Sequence, residues 1–352
     1  MTDSHLVLVG SGALARSVCL SLAAQPSRTR VTVLARNARA AADLALAAGV
    51  RAATAGTGVA FAAERLDTGQ VAAALAALRP DVLVCCASDH SPYERLTRPS
   101  AWTDLVARAG FGVTLPLQAG LVADLARALP SACPDAVLVN GCFPDVVNPL
   151  LARLGLPVLC GIGNVATLAA CLRAALGRPA DLAVLGHHAQ LAAPADDVLA
   201  WAGGVPVADV TALLAPYRAL PRRELNALGG HAAAALLVAL AEGTGTSANL
   251  PGPNGLPGGY PVRVADRRVE PDLPAGVALA DAVAWNLRAG LPDGVEVAED
   301  RVCHSARTAA ALAPHLPELA DGWPPAALDE VGDRLRALRD HLRMTEPGPA
   351  HP

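Results

Sequence analysis

Lysine is absent from this chain of 352 residues, so its 28 Lys-plus-Arg positions are all arginine. This absence excludes a lysine Schiff base and a lysine general acid. Aromatic residues are also scarce, at 3% of the chain, whereas hydrophobic residues make up 53%. Leucine, valine and alanine must therefore fill the core, and a chain this apolar is expected to be globular rather than disordered.

Strong charge is lacking as well, because the net charge is only −4 and no dense stripe of arginines occurs. This argues against a nucleic-acid partner. The apolar stretches are interrupted before the ~20 residues that a membrane span needs, and no cleavable leader pattern follows Met1. The eight cysteines form no CxxC pair, as expected for reduced core thiols. We expect a cytoplasmic protein without membrane or nucleic-acid partners.

The first motif is a glycine turn between an apolar β-run, residues 5–10, and a helical pattern over residues 16–24. Gly10 allows a tight turn, Gly12 lets backbone approach a pyrophosphate, and Ala15 lets the helix pack closely on the strand. Free N–H groups at the helix start then face the phosphates. The pattern predicts a dinucleotide site, with a ligand-free turn as the alternative. The turn consists of Gly10, Ser11, Gly12, Ala13, Leu14 and Ala15.

The second β-run, residues 30–35, ends in Arg36 and Asn37. NAD sites usually have an acid at this point, which binds the ribose 2′-hydroxyl. Arg36 is instead suited to pair with a 2′-phosphate, and Asn37 to assist it. We therefore predict NADP as the cofactor, with NAD as the alternative. Arg36 could also be a solvated loop arginine without a role in cofactor binding.

Further strands alternate with helices up to about residue 162. One strand is followed by Ala87 and Ser88, small residues suited to lie under a cofactor, and another ends at Asn140. Ligands bind at the carboxyl ends of such parallel strands. We expect an α/β fold: an NAD(P)-binding Rossmann domain with a doubly wound parallel sheet over residues 1–162, an α+β substrate domain over 163–345, and a disordered tail over 346–352.

Within the second part, hydrophobic periodicity predicts helices and two strands separated by a long Gly/Pro loop. The predicted helices are 164–176, 226–240, 278–288 and 326–342, the strands 181–185 and 260–264, and the loop 243–259.

The order of these features resembles the lactate/malate dehydrogenase superfamily over roughly residues 5–310. The opening turn carries the resemblance, together with Asn140 in the segment Val-Leu-Val-Asn-Gly-Cys-Phe-Pro-Asp, Gly161-Ile-Gly163 before a helix, and Gly186-His-His-Ala189. It implies an NADP(H)-dependent oxidoreductase acting on a carbonyl, hydroxyl or imine of a small-molecule substrate, assembled as a homodimer or homotetramer. It further implies that His188 is the catalytic proton donor and that Asn140 contacts cofactor or substrate.

Two residues implied by the resemblance are missing from the helix after residue 163. Thr167 or Leu168 stands where an Asp would orient the histidine, and Ala170 or Cys171 where an Arg would grip a substrate carboxylate. Arg173 lies too far round the helix to replace that arginine. The sequence therefore argues against a simple 2-hydroxy acid and favours a bulkier or neutral substrate.

Adjacent histidines on an extended segment point in opposite directions, so we expect either His187 or His188 to face the site while the other packs or meets solvent. His187 is thus a second catalytic candidate, and a purely structural role for both is the alternative. Asp145 is a candidate to orient a histidine, and Asp89 and His90 are candidates to lie near the nicotinamide.

Two other functions stay open. One is an enzyme like the family 4 glycoside hydrolases, which share this fold and need NAD(H) and a divalent metal; Cys160 with His187 or His188 would be its metal pair. The other is a non-catalytic NADP-binding protein, because the implied Asp and Arg are missing. The preferred interpretation needs no metal.

Overall fold

The computed structural model describes residues 4–191 and 197–345, so the predicted tail at 346–352 lies outside the described residues. Apolar strands alternate with alanine-rich helices through its first half. The strands are β1 (His5–Val9), β2 (Arg30–Ala35), β3 (Ala60–Arg65), β4 (Val82–Cys85), β5 (Val137–Asn140) and β6 (Cys160–Gly161). The helices are α1 (Ala13–Leu22), α2 (Ala38–Ala55), α3 (Val71–Leu78), α4 (Glu94–Thr97), α5 (Ala101–Ala109), α6 (Leu115–Ala132) and α7 (Val147–Arg153).

These six strands form one parallel sheet in the order β3-β2-β1-β4-β5-β6. Helices cover both faces, which is why β1 and β4 are uninterrupted runs of buried residues. Strand order reverses between β1 and β4, and this switch point opens a crevice at the carboxyl ends of the strands. The predicted α/β fold with a doubly wound parallel sheet is confirmed.

The second half adds three small antiparallel sheets and six helices within the described residues. The strands are β7 (Leu182–Leu185), β8 (Leu199–Ala202), β9 (Val205–Pro206), β10 (Thr246–Pro251), β11 (Gly259–Ala265), β12 (Arg268–Pro271), β13 (Val295–Val297), β14 (Val302–His304) and β15 (Gly322–Trp323). The helices are α8 (Asn164–Ala175), α9 (Val210–Arg218), α10 (Arg222–Glu242), α11 (Leu279–Gly290), α12 (Ala306–Leu312) and α13 (Leu328–Leu342).

Two long helices of the second half pack back onto the first. Helix α10 lies along α1, and Gly230 makes this approach close: a Cβ there would lie 2.6 Å from Ser17. Helix α13 packs against α6 on the other side of the sheet. The amino-terminal end of α10 and the carboxyl-terminal end of α13 both reach the crevice at the switch point.

Two predicted elements differ from the structure. The expected loop at 243–259 contains β10, which pairs with β11; Asn249 supports it by accepting a hydrogen bond from the Val184 amide (2.7 Å) and donating one to the Leu182 carbonyl (3.2 Å). The glycines and prolines around this strand obscured it. The helix predicted from residue 226 begins four residues earlier, at Arg222.

Helix α10 is also the one helix, among the described residues, that is long and apolar enough to cross a membrane. Its apolar window is 56% buried inside the protein, as in the core helices of soluble proteins.

Candidate active site

A cavity of about 440 Å³ opens at the switch point, at the carboxyl ends of β1, β4 and β5. This volume suits a small-molecule site. The turn after β1, the loops after β4 and β5, and the starts of α8 and α10 surround it. The side chains that matter below are Ser88, Tyr93, Asp145, His188, Arg222 and Asn226.

The glycine turn forms one wall of the cavity. Gly10 has φ +122°, and a Cβ there would lie 2.9 Å from the Cys86 carbonyl oxygen, so only glycine fits. Gly12 differs, because a Cβ there would meet nothing within 4 Å. Gly12 is the N-cap of α1, with no side-chain cap and no acid in the first turn. The amides at this helix start are therefore suited to an anion.

The other predicted cofactor residues fall into two groups. Ser11, Ala13 and Leu14 line the same cavity, as do Ala87 and Ser88 after β4, whereas Ala15 is fully buried against the sheet. Two residues that follow β2 do not line this cavity. Arg36 borders a neighbouring cavity of about 220 Å³ with its side chain 67% exposed, and Asn37 caps α2 by accepting a hydrogen bond from the Ala40 amide.

Asn140 lies at the end of β5 on the cavity wall, with its side chain engaged inside the protein. Its Nδ2 donates to Asn148 Oδ1 (2.8 Å) and to the Cys142 carbonyl (3.0 Å), and its Oδ1 accepts from the Cys142 amide (2.8 Å). Asn148 in turn donates to the Gly252 carbonyl. Asn140 therefore shapes the loop that carries Cys142 along the cavity.

His188 lines the cavity and is held by a carboxylate from a distant part of the chain. Its Nε2 lies 2.7 Å from Oδ2 of Asp293, which ends a 3₁₀ turn after α11 and is buried. Asp145 fixes the backbone of the same residue, because its Oδ2 accepts the His188 amide at 2.9 Å. Among the described residues no group hydrogen-bonds to Nδ1 of His188.

His187 sits behind His188 and is almost completely buried. Its Nε2 lies 3.8 Å from Asp145 Oδ2 and 3.7 Å from Asp293 Oδ2, and its ring centre is 4.5 Å from that of His188. The segment is not extended as expected, because a 3₁₀ turn begins at His188, but the expected division of the two residues holds: His188 lines the cavity, whereas His187 packs inside the protein. Gly290 makes room, since a Cβ there would lie 3.2 Å from His187 Nε2.

The two histidines differ in charge because their surroundings differ. Burial disfavours the imidazolium of His188, but the carboxylates of Asp293 and Asp145 outweigh it and raise the pKa of His188 to about 9. Burial dominates at His187 and lowers its pKa. Burial would raise the pKa of Asp293, but the neighbouring His188 lowers it overall. At neutral pH His188 is therefore cationic, Asp293 anionic and His187 neutral.

Residues 86–94, the loop after β4, form the opposite wall and are fastened by α13. Arg343 Nε donates to Glu94 Oε1 (2.6 Å), and Arg339 Nη1 donates to the Asp89 carbonyl (2.6 Å). Buried His90 accepts a hydrogen bond from Trp102 Nε1 (3.3 Å), and burial lowers the pKa of His90 to about 4. Asp89 and His90 both line the cavity.

One cluster in the described residues has the donor set of a metal site. The ligand atoms of His187, His188 and Asp293 lie within 4.8 Å of one another, and all three residues are buried. A cation would have to break the 2.7 Å hydrogen bond between His188 and Asp293. Cys160, the predicted partner of such a metal, is not in this cluster. The arrangement therefore fits a histidine–carboxylate pair better than a metal centre.

Comparison with known proteins gives no match to a protein-family model and none to a curated protein. Solved structures do match. Malate dehydrogenase from Picrophilus torridus aligns with TM-score 0.59 and 14% identity, over 83% of this chain and 98% of that one. Lactate dehydrogenase from Eimeria maxima, solved with NADH and oxamate, aligns with TM-score 0.57 and 14% identity, over 83% and 93%. Malate dehydrogenase from Salinibacter ruber aligns with TM-score 0.54 and 13% identity, over 96% and 99%.

The chain has the lactate/malate dehydrogenase fold. The resemblance seen in the sequence is thereby confirmed for the architecture. The low identities fit a divergent chain. Arg173, the nearest arginine in α8, donates to the Pro179 carbonyl beyond the end of that helix and does not line the cavity.

Sequence reasoning missed two charged residues that the fold brings to this site. Asp293 follows a proline and precedes a glycine, which indicates an ordinary turn. Arg222 falls before the predicted start of α10, so it was not placed on any element. Pro221, the residue just before α10, was the available signal, since proline is common at helix starts.

Proposed function

We propose that this protein is a nicotinamide-dependent oxidoreductase that reduces a carbonyl or imine, or oxidises the corresponding alcohol or amine, with His188 as the acid/base. The observation that carries the proposal is the His188–Asp293 pair at 2.7 Å on the wall of the cavity that the glycine turn of α1 also lines. The shared fold with dehydrogenases of known reaction supports it.

A bound nicotinamide supplies or accepts the hydride in this chemistry, and the chain supplies the rest. The amides at the start of α1 would hold the diphosphate, because no side chain caps them. Ala87 and Ser88 leave room beside it because both are small. His188 donates its Nδ1 proton to the substrate oxygen during reduction, and Asp293 stabilises the imidazolium and fixes the ring. In oxidation the same nitrogen takes the proton back.

The Asp293 contact also weakens the case for a non-catalytic NADP-binding protein, which rested on the missing orienting carboxylate. The metal-dependent glycosidase alternative lacks support at Cys160, which is a buried core thiol whose pKa burial raises to about 12.

Hydride transfer is the direct test of the proposed function. We expect the purified protein to consume NADPH or NADH, followed at 340 nm, with at least one member of a panel of aldehydes, ketones, 2-oxo acids and imines, and to do so equally after EDTA treatment. Failure of both dinucleotides to bind in calorimetry would overturn the redox function. Activity that EDTA abolishes would favour the metal-dependent alternative.

For the cofactor we propose NADP in preference to NAD. Arg36 follows β2, where an acid would favour NAD, and its side chain is 67% exposed with a single, long contact to Asp89 (3.7 Å). An exposed guanidinium so weakly paired is free to turn to a 2′-phosphate.

Arg36→Asp is expected to weaken NADPH binding about tenfold or more, because a charge-assisted pair is lost and a like charge replaces it. NADH binding should change less than threefold. Titration calorimetry with both dinucleotides measures this, and Arg51→Asp, an exposed arginine within α2, is the matched control. Equal losses for the two cofactors would contradict the NADP assignment.

A further inference from the structure

Arg222 places a second cation in the cavity that holds His188. It is the first residue of α10, is half-buried and lines the same cavity as His188, so its positive charge disfavours the imidazolium and lowers the pKa of His188. The sequence offered no such group, because the arginine expected in α8 is missing.

The other cations around the cavity each have a carboxylate partner, whereas Arg222 has none among the described residues. Arg343 pairs with Glu94, and Asp89 pairs with Arg336 of α13 at 3.2 Å. Arg222, by contrast, has no carboxylate within 4 Å among residues 4–191 and 197–345; its hydrogen bond is to the neutral Oδ1 of Asn164, at 3.3 Å. Holding a half-buried guanidinium without a counter-ion costs free energy, so such a group is commonly completed by a ligand.

Asn164 connects this cation to the proposed acid/base. Its Oδ1 accepts from Arg222, and its Nδ2 donates to the His188 carbonyl at 3.1 Å. Asn164 is also the first residue of α8, after Gly163, whose N-cap position carries no side-chain cap. An anion on Arg222 would thus lie beside a helix amino terminus and within the hydrogen-bond network of His188.

We propose that Arg222 is the substrate-binding residue of this cavity and that the substrate carries a carboxylate. The inference rests on the proposed function and names its substrate class. It replaces the expectation of a neutral substrate, which considered α8 alone. In this arrangement Arg222 of α10 binds the substrate carboxylate and His188 exchanges the proton. The reacting carbon therefore lies between Arg222 and Nδ1 of His188.

The charge balance favours a carboxylate over a phosphate. One guanidinium without a counter-ion matches one negative charge, whereas a phosphate dianion would leave an excess charge close to Asp145 and Asp89, both of which line the cavity. The planar fork of arginine also matches a carboxylate with two parallel hydrogen bonds.

Binding of an unreactive anion tests this inference without relying on turnover. Oxamate, an anion with a single carboxylate, is titrated into the wild-type protein and into Arg222→Gln, with and without saturating NADPH, and inorganic phosphate is titrated in parallel. We expect the substitution to weaken oxamate binding at least tenfold. Arg222→Lys should recover part of the loss, because it restores the charge without the fork. Arg223→Gln is the control, since the Arg223 side chain is 84% exposed and pairs with Glu224.

The outcomes separate this inference from the redox function. Oxamate that binds Arg222→Gln and wild type within threefold, or does not bind the wild type in either state, overturns the carboxylate site even if the dinucleotide binds. Phosphate bound more tightly than oxamate also overturns it. Oxamate binding that depends on Arg222 in a protein without dinucleotide binding keeps the anion site and rejects the oxidoreductase. Circular dichroism melts establish that each variant is folded.

Discussion

Replacing His188 with glutamine is expected to lower kcat by about 10²- to 10⁴-fold for the carbonyl substrate that the hydride-transfer assay selects, because the proton donor is lost. Glutamine keeps the length and polarity of the side chain, so Kd for NADPH should stay within threefold. Steady-state kinetics and calorimetry measure the two quantities. The control is His231→Gln, an exposed histidine in the middle of α10. A kcat within threefold of wild type would remove His188 from the reaction.

The pH profile supplies a second readout of the same residue. Burial and three charged groups, Asp293, Asp145 and Arg222, set the pKa of His188, which they bring to about 9. Reduction needs the protonated imidazole, so kcat/KM for reduction should be level near neutrality and fall above about pH 9. Oxidation needs the neutral ring and should rise over the same range.

Asp293→Asn should move this descending limb to lower pH, because it removes the strongest favourable influence on the imidazolium. It should also lower kcat, since the ring loses the partner that orients it. A merely structural Asp293 would reduce stability without moving the limb. A limb unchanged in position would therefore contradict the role of Asp293.

The part of the site that the sequence predicted is the part that local chain geometry dictates. Gly10 and Gly12 are recognisable because a strand, a tight turn and a helix are contiguous, and contiguous residues need no tertiary information to be placed together. Ala87, Ser88 and Asn140 followed from one further rule, that parallel strands bring their carboxyl ends to one edge. The structure has all five residues beside one crevice.

The part that sequence reasoning missed depends on long-range packing. Asp293 is 105 residues from His188, and its local pattern indicates only a turn. Arg222 comes to the cavity because α10 lies along α1. Gly230 allows this close contact, but the position of one glycine in the sequence does not predict which helix packs against it. Hydrophobic periodicity also does not predict the 3₁₀ turn that begins at His188, so the segment was expected to be extended. In our proposals, Asp293 orients the histidine and Arg222 binds the substrate anion, and both residues lie outside α8, the helix in which the resemblance implies an Asp and an Arg.

A substitution at Gly12 in the glycine turn after β1 should change cofactor affinity without lowering the stability of the fold. Gly12 has φ −77° and ψ −171°, the extended geometry of a helix N-cap, and a Cβ there would meet nothing within 4 Å. Aspartate is a preferred N-cap residue, so Gly12→Asp should fit the fold and gain a few tenths of a kcal/mol from capping. Its carboxylate, however, would occupy the amides that we assign to the cofactor diphosphate.

Gly12→Asp is therefore expected to raise the Kd for NADPH and NADH by about 100-fold, through lost charge-assisted hydrogen bonds and like-charge repulsion, while Tm stays level or rises slightly. Calorimetry and thermal melts measure the two effects, and Gly49→Asp within α2, where a Cβ is also unobstructed, is the control that should leave Kd unchanged. Lost affinity with lower Tm would mean that the turn is packed rather than open. Unchanged affinity would mean that the dinucleotide binds elsewhere. The proposed roles of Arg36 and His188 would then fail as well, because both assume a dinucleotide at this turn.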